Sequence, residues 1–263
     1  MADEVLVHID GAVGVLELNR PEKFNCISKA LVAGLNEGLD QLEGNADIRA
    51  VVLKGAGKVF CTGADLEEIL ETRQSAAGLH ALLRDLLHVL RRLETSPLPI
   101  IGAVHGLVLA GGLEITMVCD VVFAARSAKL GDQHAQYGLV PGGGNSQRLT
   151  RVLGRRRALD LMFSARWLEA QEAHAWGLVN YVVDDDQLIN AAMAYARKLA
   201  AHSAPGLAMM KRMSDAGSDL TLEQGLELEI KMAVEGLRGS DADEGLKAFQ
   251  ERRVPQFGQR QVG

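Results

Sequence analysis

Aromatic side chains are scarce in this chain, at 4% of residues, and positive charge is not in excess. Lys and Arg number 28 against 34 Asp and Glu, a formal net charge of −6. Both shortages disfavour a nucleic-acid binder, which needs cations for phosphates and rings for base stacking. Cysteine is also scarce: Cys26, Cys61 and Cys119 form an odd set without CxxC spacing. That fits a reducing compartment and argues against a disulfide framework or a metal site of the zinc type. Proline numbers only 6, and the 28 glycines keep no three-residue period, so a collagen is excluded. The start, Met1-Ala2-Asp3-Glu4, is acidic where a secretory leader is basic. No long hydrophobic run stands out either. The most apolar stretch, 99–125, contains His105, Glu114 and Asp120 and reads as buried strand and helix rather than a membrane span. The expectation is a cytoplasmic protein with neither membrane nor nucleic acid as partner.

What is present suffices for a core. The chain is 48% hydrophobic over 263 residues, enough for one large domain or a domain with an appendage. Residues 5–9 and 13–18 alternate in part around Asp10-Gly11-Ala12 and predict a β-hairpin. Ser28 is a candidate N-cap for a helix with Leu31, Leu35, Leu39 and Leu42 on one face. Residues 49–54 and 100–104 read as buried strands, and 121–124 and 129–130 as further strands. Leu79, Leu82, Leu83, Leu86, Leu87, Leu90 and Leu93 keep helical spacing up to Ser96-Pro97. His80, Arg84 and His88 form the opposite, solvated face of that helix. After residue 145 the pattern is mostly helical, over 145–163, 169–176, 186–201, 205–216, 221–238 and 242–251, with one late strand at 178–183. The fold class is therefore α/β, with a helical extension that packs on the core or on a neighbouring subunit.

Familiar chemical motifs fail. Gly55-Ala56-Gly57-Lys58 ends like a P-loop, but Val52 and Val59 break the pattern. GxGxxG, HExxH and GxSxG do not occur. Arg155-Arg156-Arg157 reads as a solvated helix start. Three glycine-bearing segments remain, each following an apolar strand: 58–66, 105–114 and 131–145. Glycine lets backbone approach a ligand closely and expose its N–H groups. Two such loops side by side can aim two donors at one oxygen, an oxyanion hole in which each donor is worth about 3 kcal/mol. Gly111 sits at a predicted helix N-terminus, where free N–H groups and the dipole favour developing negative charge.

Taken in order, these segments resemble the enoyl-CoA hydratase/isomerase (crotonase) family over nearly the whole chain. The resemblance runs from Leu18-Asn19-Arg20-Pro21 and Asn25 through residues 60–66, Ala110-Gly111-Gly112-Leu113-Glu114, and Pro141-Gly142-Gly143-Gly144 with Gln147-Arg148-Leu149. It continues to Ala173, Trp176-Gly177-Leu178-Val179, Glu244-Gly245, Ala248-Phe249 and Arg252-Arg253. It implies a crotonase-like spiral of repeated ββα units with a C-terminal helical trimerisation extension. Residues 1–200 would form the acyl-CoA-binding catalytic core, and 201–263 the helical oligomerisation region of a homotrimer or homohexamer.

The resemblance also implies roles. The backbone N–H groups of Ala64 and Gly111 match the oxyanion hole that stabilises a thioester enolate. Lys58, Ala64, Asp65 and Leu66 match positions lining coenzyme A, and Arg252 and Arg253 fall where basic residues can meet its phosphates. Coenzyme A is part of the thioester substrate, and no separate cofactor is expected. Hydratases of the family use two glutamates, one activating water and one exchanging a proton with the α-carbon. Glu114 matches the first. His134 stands in place of the second, and its ordinary pKa near 6.5 suits acid/base work. If 132–134 is extended, Asp132 faces the same way as His134 and can orient the imidazole. Tyr137 and Asn145 are candidates for the acyl pocket. Glu67 departs from a lysine common among relatives.

The leading expectation is an enoyl-CoA hydratase-type lyase with Glu114 as acid/base. The replacement at His134 keeps open an isomerase, or a hydrolase cleaving a cyclic oxo-acyl-CoA. A non-catalytic acyl-CoA binder is less favoured, because Glu114 is retained.

Overall fold

A computed structural model describes residues 3–258 and Arg260; Met1 and Ala2, part of the acidic start, lie outside them. The hairpin forms as predicted: β1 (Val5–Asp10) and β2 (Val13–Leu18) pair antiparallel around Gly11. Ser28 caps α1 (Lys29–Glu43), its hydroxyl accepting from Leu31 N–H at 3.0 Å, and Leu31, Leu35, Leu39 and Leu42 are all buried. β3 (Ala50–Gly55) follows, then α2 (Leu66–Thr72) and α3 (Ala76–Thr95). His80, Arg84 and His88 lie exposed on α3. The next units are β4 (Ile100–Val104), β5 (Leu107–Leu109) and α4 (Gly111–Met117), then β6 (Val121–Ala125) and β7 (Lys129–Gly131).

The chain continues through α5 (Asn145–Leu153), α6 (Arg155–Ser164), β8 (Leu168–Glu169), α7 (Ala170–Ala175) and β9 (Tyr181–Val183). It ends in α8 (Leu188–Ala200), α9 (Ala204–Gly217), α10 (Leu222–Leu237) and α11 (Ser240–Glu251). The expected helix over 145–163 is two helices. Gly154 breaks it with φ +74° and ψ 154°, which is incompatible with helix. The expected strand over 178–183 is confined to Tyr181–Val183.

Two sheets make up the frame. One has the order β1-β2-β3-β4-β6-β9, parallel beyond the first hairpin, and the other the order β5-β7-β8. From β4 and β6 the chain passes into the small sheet, as β5 and β7, and then into a helix. Cys61 bridges Val108 of β5, so the segment after β3 makes the same excursion. This is the spiral of ββα units, mixed α/β with a helical C-terminal region. Its repeat is spatial and carries no fixed sequence period.

Lys211, Arg260 and Arg49, which donates to the Phe257 and Gly258 carbonyls, all fasten the tail to the core. Lys211 of α9 donates to Asp120 at 2.8 Å and to the Leu93 and Leu98 carbonyls. Arg260 is buried against the Ile48 and Asn45 carbonyls, both at 3.2 Å. Among the described residues no helix is long and apolar enough to cross a membrane.

Candidate active site

The site forms where the first two glycine-bearing segments meet. Phe60 N–H donates to the His105 carbonyl at 2.9 Å, and Leu109 N–H to the Cys61 carbonyl at 3.0 Å. Residues 60–62 thus run beside β5 and deliver Gly63-Ala64 to the start of α4. The approach is close enough to require glycine. A Cβ on Gly111 would lie 2.6 Å from Ile27 Cδ1 and 3.3 Å from Gly63 Cα. Gly111 is the first residue of α4, so its N–H has no intrahelical acceptor. The Ala64 N–H is likewise not engaged, because the neighbouring bridge uses Asp65 N–H to the Ile27 carbonyl at 2.8 Å and Ile27 N–H to the Gly63 carbonyl at 2.7 Å. Among the described residues neither amide meets an acceptor. Two adjacent, unengaged backbone donors are the geometry an oxyanion needs.

Glu114 lies one helical turn beyond Gly111 and is 3% exposed. Its Oε1 accepts Gly143 N–H at 2.8 Å and Asn145 N–H at 3.3 Å. Gly143 must be glycine for this, since a Cβ would lie 2.7 Å from the Glu114 carboxyl carbon. Burial raises the Glu114 pKa above the usual carboxylate range; the His134 charge and the two backbone donors offset only part of that effect.

His134 and Asp132 meet, although not by the expected route. The segment is not extended: Gln133 is left-handed, with φ +62°, and His134 opens a 3₁₀ turn over His134–Tyr137. The turn still brings His134 Nδ1 to 3.0 Å from Asp132 Oδ1, and His134 N–H donates to the same oxygen at 3.2 Å. Burial alone lowers the imidazole pKa. The hydrogen bond and charge of Asp132, with the charge of Glu114, outweigh it and hold the ring above its ordinary value. Because Nδ1 faces the carboxylate, Nε2 is the nitrogen left for a substrate.

Asp132 is buried, and its Oδ2 accepts from Asn145 Nδ2 at 2.8 Å. Asn145 is completely buried, whereas Tyr137 is 71% exposed. The three cysteines are free, and burial pushes Cys61 and Cys119 up to about 12 and Cys26 to about 11, so none is a nucleophile near neutral pH. Among the described residues no three His, Cys, Asp or Glu side chains gather as a metal would require.

The residues matched to coenzyme A are dispersed in role. Lys58 and Leu66 are exposed. The Asp65 side chain caps α2 by accepting Glu67 N–H at 3.0 Å and pairs with Arg20 at 2.9 Å. Glu67 pairs with Lys23 at 3.0 Å. Arg253 holds Glu244 and Glu251, and Glu244 is lowered to about 2 by Arg253. Arg252 ends α11 in the left-handed region, with φ +55°.

Two supporting groups have roles that only the structure shows. Arg148 of α5 grips Glu94 of α3 with two bonds, at 2.9 and 2.8 Å, and donates to the Gly143 carbonyl at 2.8 Å. It therefore steadies the 143–145 segment, whose Gly143 and Asn145 N–H groups hold Glu114. Asn25 donates to the Ala56 and Val59 carbonyls at 2.8 and 2.9 Å, shaping the loop that leads to Ala64. Arg148 and Asn25 belong to the quoted motifs. Glu94 carries no local signal, because its partner lies 54 positions away.

Residues 8–260 match the family model described as enoyl-CoA hydratase/isomerase. A probable enoyl-CoA hydratase of Rhizobium meliloti is 35% identical over 255 residues, covering 97% of this chain and 98% of that protein. The 1,2-epoxyphenylacetyl-CoA isomerase of Escherichia coli is 37% identical over 259 residues, covering 98% and 99%. The crystal structure of an enoyl-CoA hydratase from a Polaromonas species superposes with a TM-score of 0.93 at 32% identity, covering 97% of this chain and 99% of that one.

Proposed function

The chain belongs to the enoyl-CoA hydratase/isomerase family, and from that premise we propose that it adds water to, or eliminates it from, an enoyl-CoA thioester. The observation that carries this reading is the buried Glu114 carboxylate, held by two backbone donors one turn from the Gly111 N–H. In the hydration direction the thioester oxygen sits on the Ala64 and Gly111 N–H groups. Glu114 takes a proton from water as the water oxygen bonds to the β-carbon. The double-bond electrons move onto the thioester oxygen, where the fixed donors stabilise the enolate. The imidazolium of His134 then gives its Nε2 proton to the α-carbon, and Asp132 stabilises the charged ring beforehand. Elimination is the reverse. The raised His134 value favours the imidazolium that must begin protonated, and the raised Glu114 value makes its carboxylate a stronger base toward water.

Isomerisation is the second reading. It is favoured by the imidazole in place of a second carboxylate and by the similarity to the Escherichia coli isomerase. In that reading one group removes a proton from the enoyl chain and returns it elsewhere, with the same enolate between. Lys58, Ala64, Asp65 and Leu66 would contact coenzyme A mainly through backbone, with Arg252 and Arg253 serving its phosphates. We assign residues 1–200 to the catalytic core and 201–263 to oligomerisation as a homotrimer or homohexamer. Support comes from α10, where Leu222, Leu226, Ile230, Val234 and Leu237 form one exposed apolar face. The cysteine usage supports a cytoplasmic setting.

The test uses crotonyl-CoA. Glu114→Gln is expected to abolish turnover, by about 10³-fold or more, while binding measured by calorimetry stays within about threefold. Equal loss of binding and turnover would make Glu114 a structural group and remove it from the mechanism.

A further inference from the structure

Asn145 bonds to three groups of the site: Glu114, Asp132 and the Ala110 carbonyl. Its backbone N–H donates to Glu114, and its side-chain Nδ2 donates to Asp132 Oδ2 at 2.8 Å and to the Ala110 carbonyl at 3.4 Å. A carboxylate and a carbonyl only accept, so the NH₂ of the amide must face them. The side chain is wholly buried, and among the described residues its Oδ1 meets no hydrogen-bond partner.

The Ala110 carbonyl belongs to the same peptide group as the Gly111 N–H. It already accepts Glu114 N–H at 3.0 Å. A second donor on that carbonyl fixes the peptide plane and polarises it, strengthening its N–H as a donor. The plane needs restraint, because Ala110 has φ +48° and ψ −112°, a conformation side-chain-bearing residues rarely adopt.

We propose that Asn145 is a positioning residue that couples the Asp132–His134 pair to the Gly111 oxyanion donor, holding the proton-transfer ring and the N–H in one fixed relation. This rests on the acid/base reading of Glu114 and His134. Asn145 acts through its bonds to Asp132 and the Ala110 carbonyl. The groups bearing on the His134 ring are Asp132 from its own segment and Glu114 from α4; the Cys61 thiol beside Glu114 stays neutral.

The test follows the His134 ring by NMR titration, and crotonyl-CoA turnover across pH, in the full-length protein. Asn145→Ala strips a donor from Asp132, which then holds the imidazolium proton more tightly. The His134 titration moves up by about half a unit or more, and kcat falls about tenfold with KM within about twofold. Asn145→Asp keeps the shape but sets a second carboxylate against Asp132 and the Ala110 carbonyl. It is least active at high pH and recovers as the pair takes up one shared proton on acidification. If Asn145→Ala does not fold, the acid recovery of Asn145→Asp decides.

A His134 titration unmoved in both variants, or losses that track only the folded fraction with the wild-type pH profile, overturns the proposal. Asp132→Asn and His134→Ala are measured alongside. If they leave turnover intact, the acid/base reading fails and takes the coupling with it. If they impair turnover while the Asn145 variants keep the wild-type profile, only the positioning role is lost.

Discussion

In the proposed mechanism His134 moves a proton, and the same side chain also carries a stability contribution. Burial lowers its proton affinity, but Asp132 and Glu114 raise it further, so the folded ring binds its proton more tightly than the unfolded one. The sign follows from linkage. The stabilisation is fully present below the ordinary imidazole pKa near 6.5 and is lost as pH rises through the raised folded value. Glu114 acts in the same direction from about 4.5 upward, because a raised carboxyl also binds its proton more tightly in the fold. His134→Ala should therefore destabilise the protein most at and below pH 6.5 and flatten the decline just above it. Urea denaturation at a series of pH values checks this, and an unchanged slope above pH 6.5 would contradict the assigned direction. The pairing of Asp132 with His134 was legible from their spacing, but its geometry was not. The sequence suggests an extended strand, whereas a left-handed Gln133 makes the turn, and no local rule places a non-glycine residue there.

At the level of elements, Arg148 joins α5 to α3 through Glu94 and reaches the Gly143 carbonyl. Burial opposes the charge on Glu94, yet Arg148 and Arg91 hold its pKa below the usual carboxylate range. Arg148→Met should cost about 1–3 kcal/mol in stability, since two part-buried acceptors lose their donor. It should also reduce kcat more than it changes KM, because Gly143 no longer holds Glu114 in place. Thermal unfolding and steady-state kinetics together check this; lost stability with unchanged kcat would make the link structural only. Helix α1 was legible down to its Ser28 cap, because capping and apolar spacing are local. The break at Gly154 and the short helix α2 were not: one depends on a single backbone conformation, and the other, Leu66–Thr72, buries none of its residues.

For the whole molecule, the two sheets and the loops between them place the site, while the tail leaves much apolar surface uncovered. Phe249 is 84% exposed, and the α10 face adds to it. The double substitution Leu226→Asp and Ile230→Asp should shift the protein toward monomer in sedimentation velocity, with crotonyl-CoA turnover falling in parallel if the tail also completes the binding site. A wild-type sedimentation profile would remove α10 from the interface. The glycine-bearing segments marked the candidate site because close backbone approach has a strong sequence signature. The oligomeric number has none, since an apolar helix face fits many symmetries.

The anchoring of Arg260 has a further consequence. This side chain reaches the Ile48 carbonyl across 212 positions of sequence, beside the carbonyl end of α1. A ribosome must therefore make Arg260, 212 positions after Ile48, before that contact can close. The end of the first helix gains this fastening only long after the helix itself has been made.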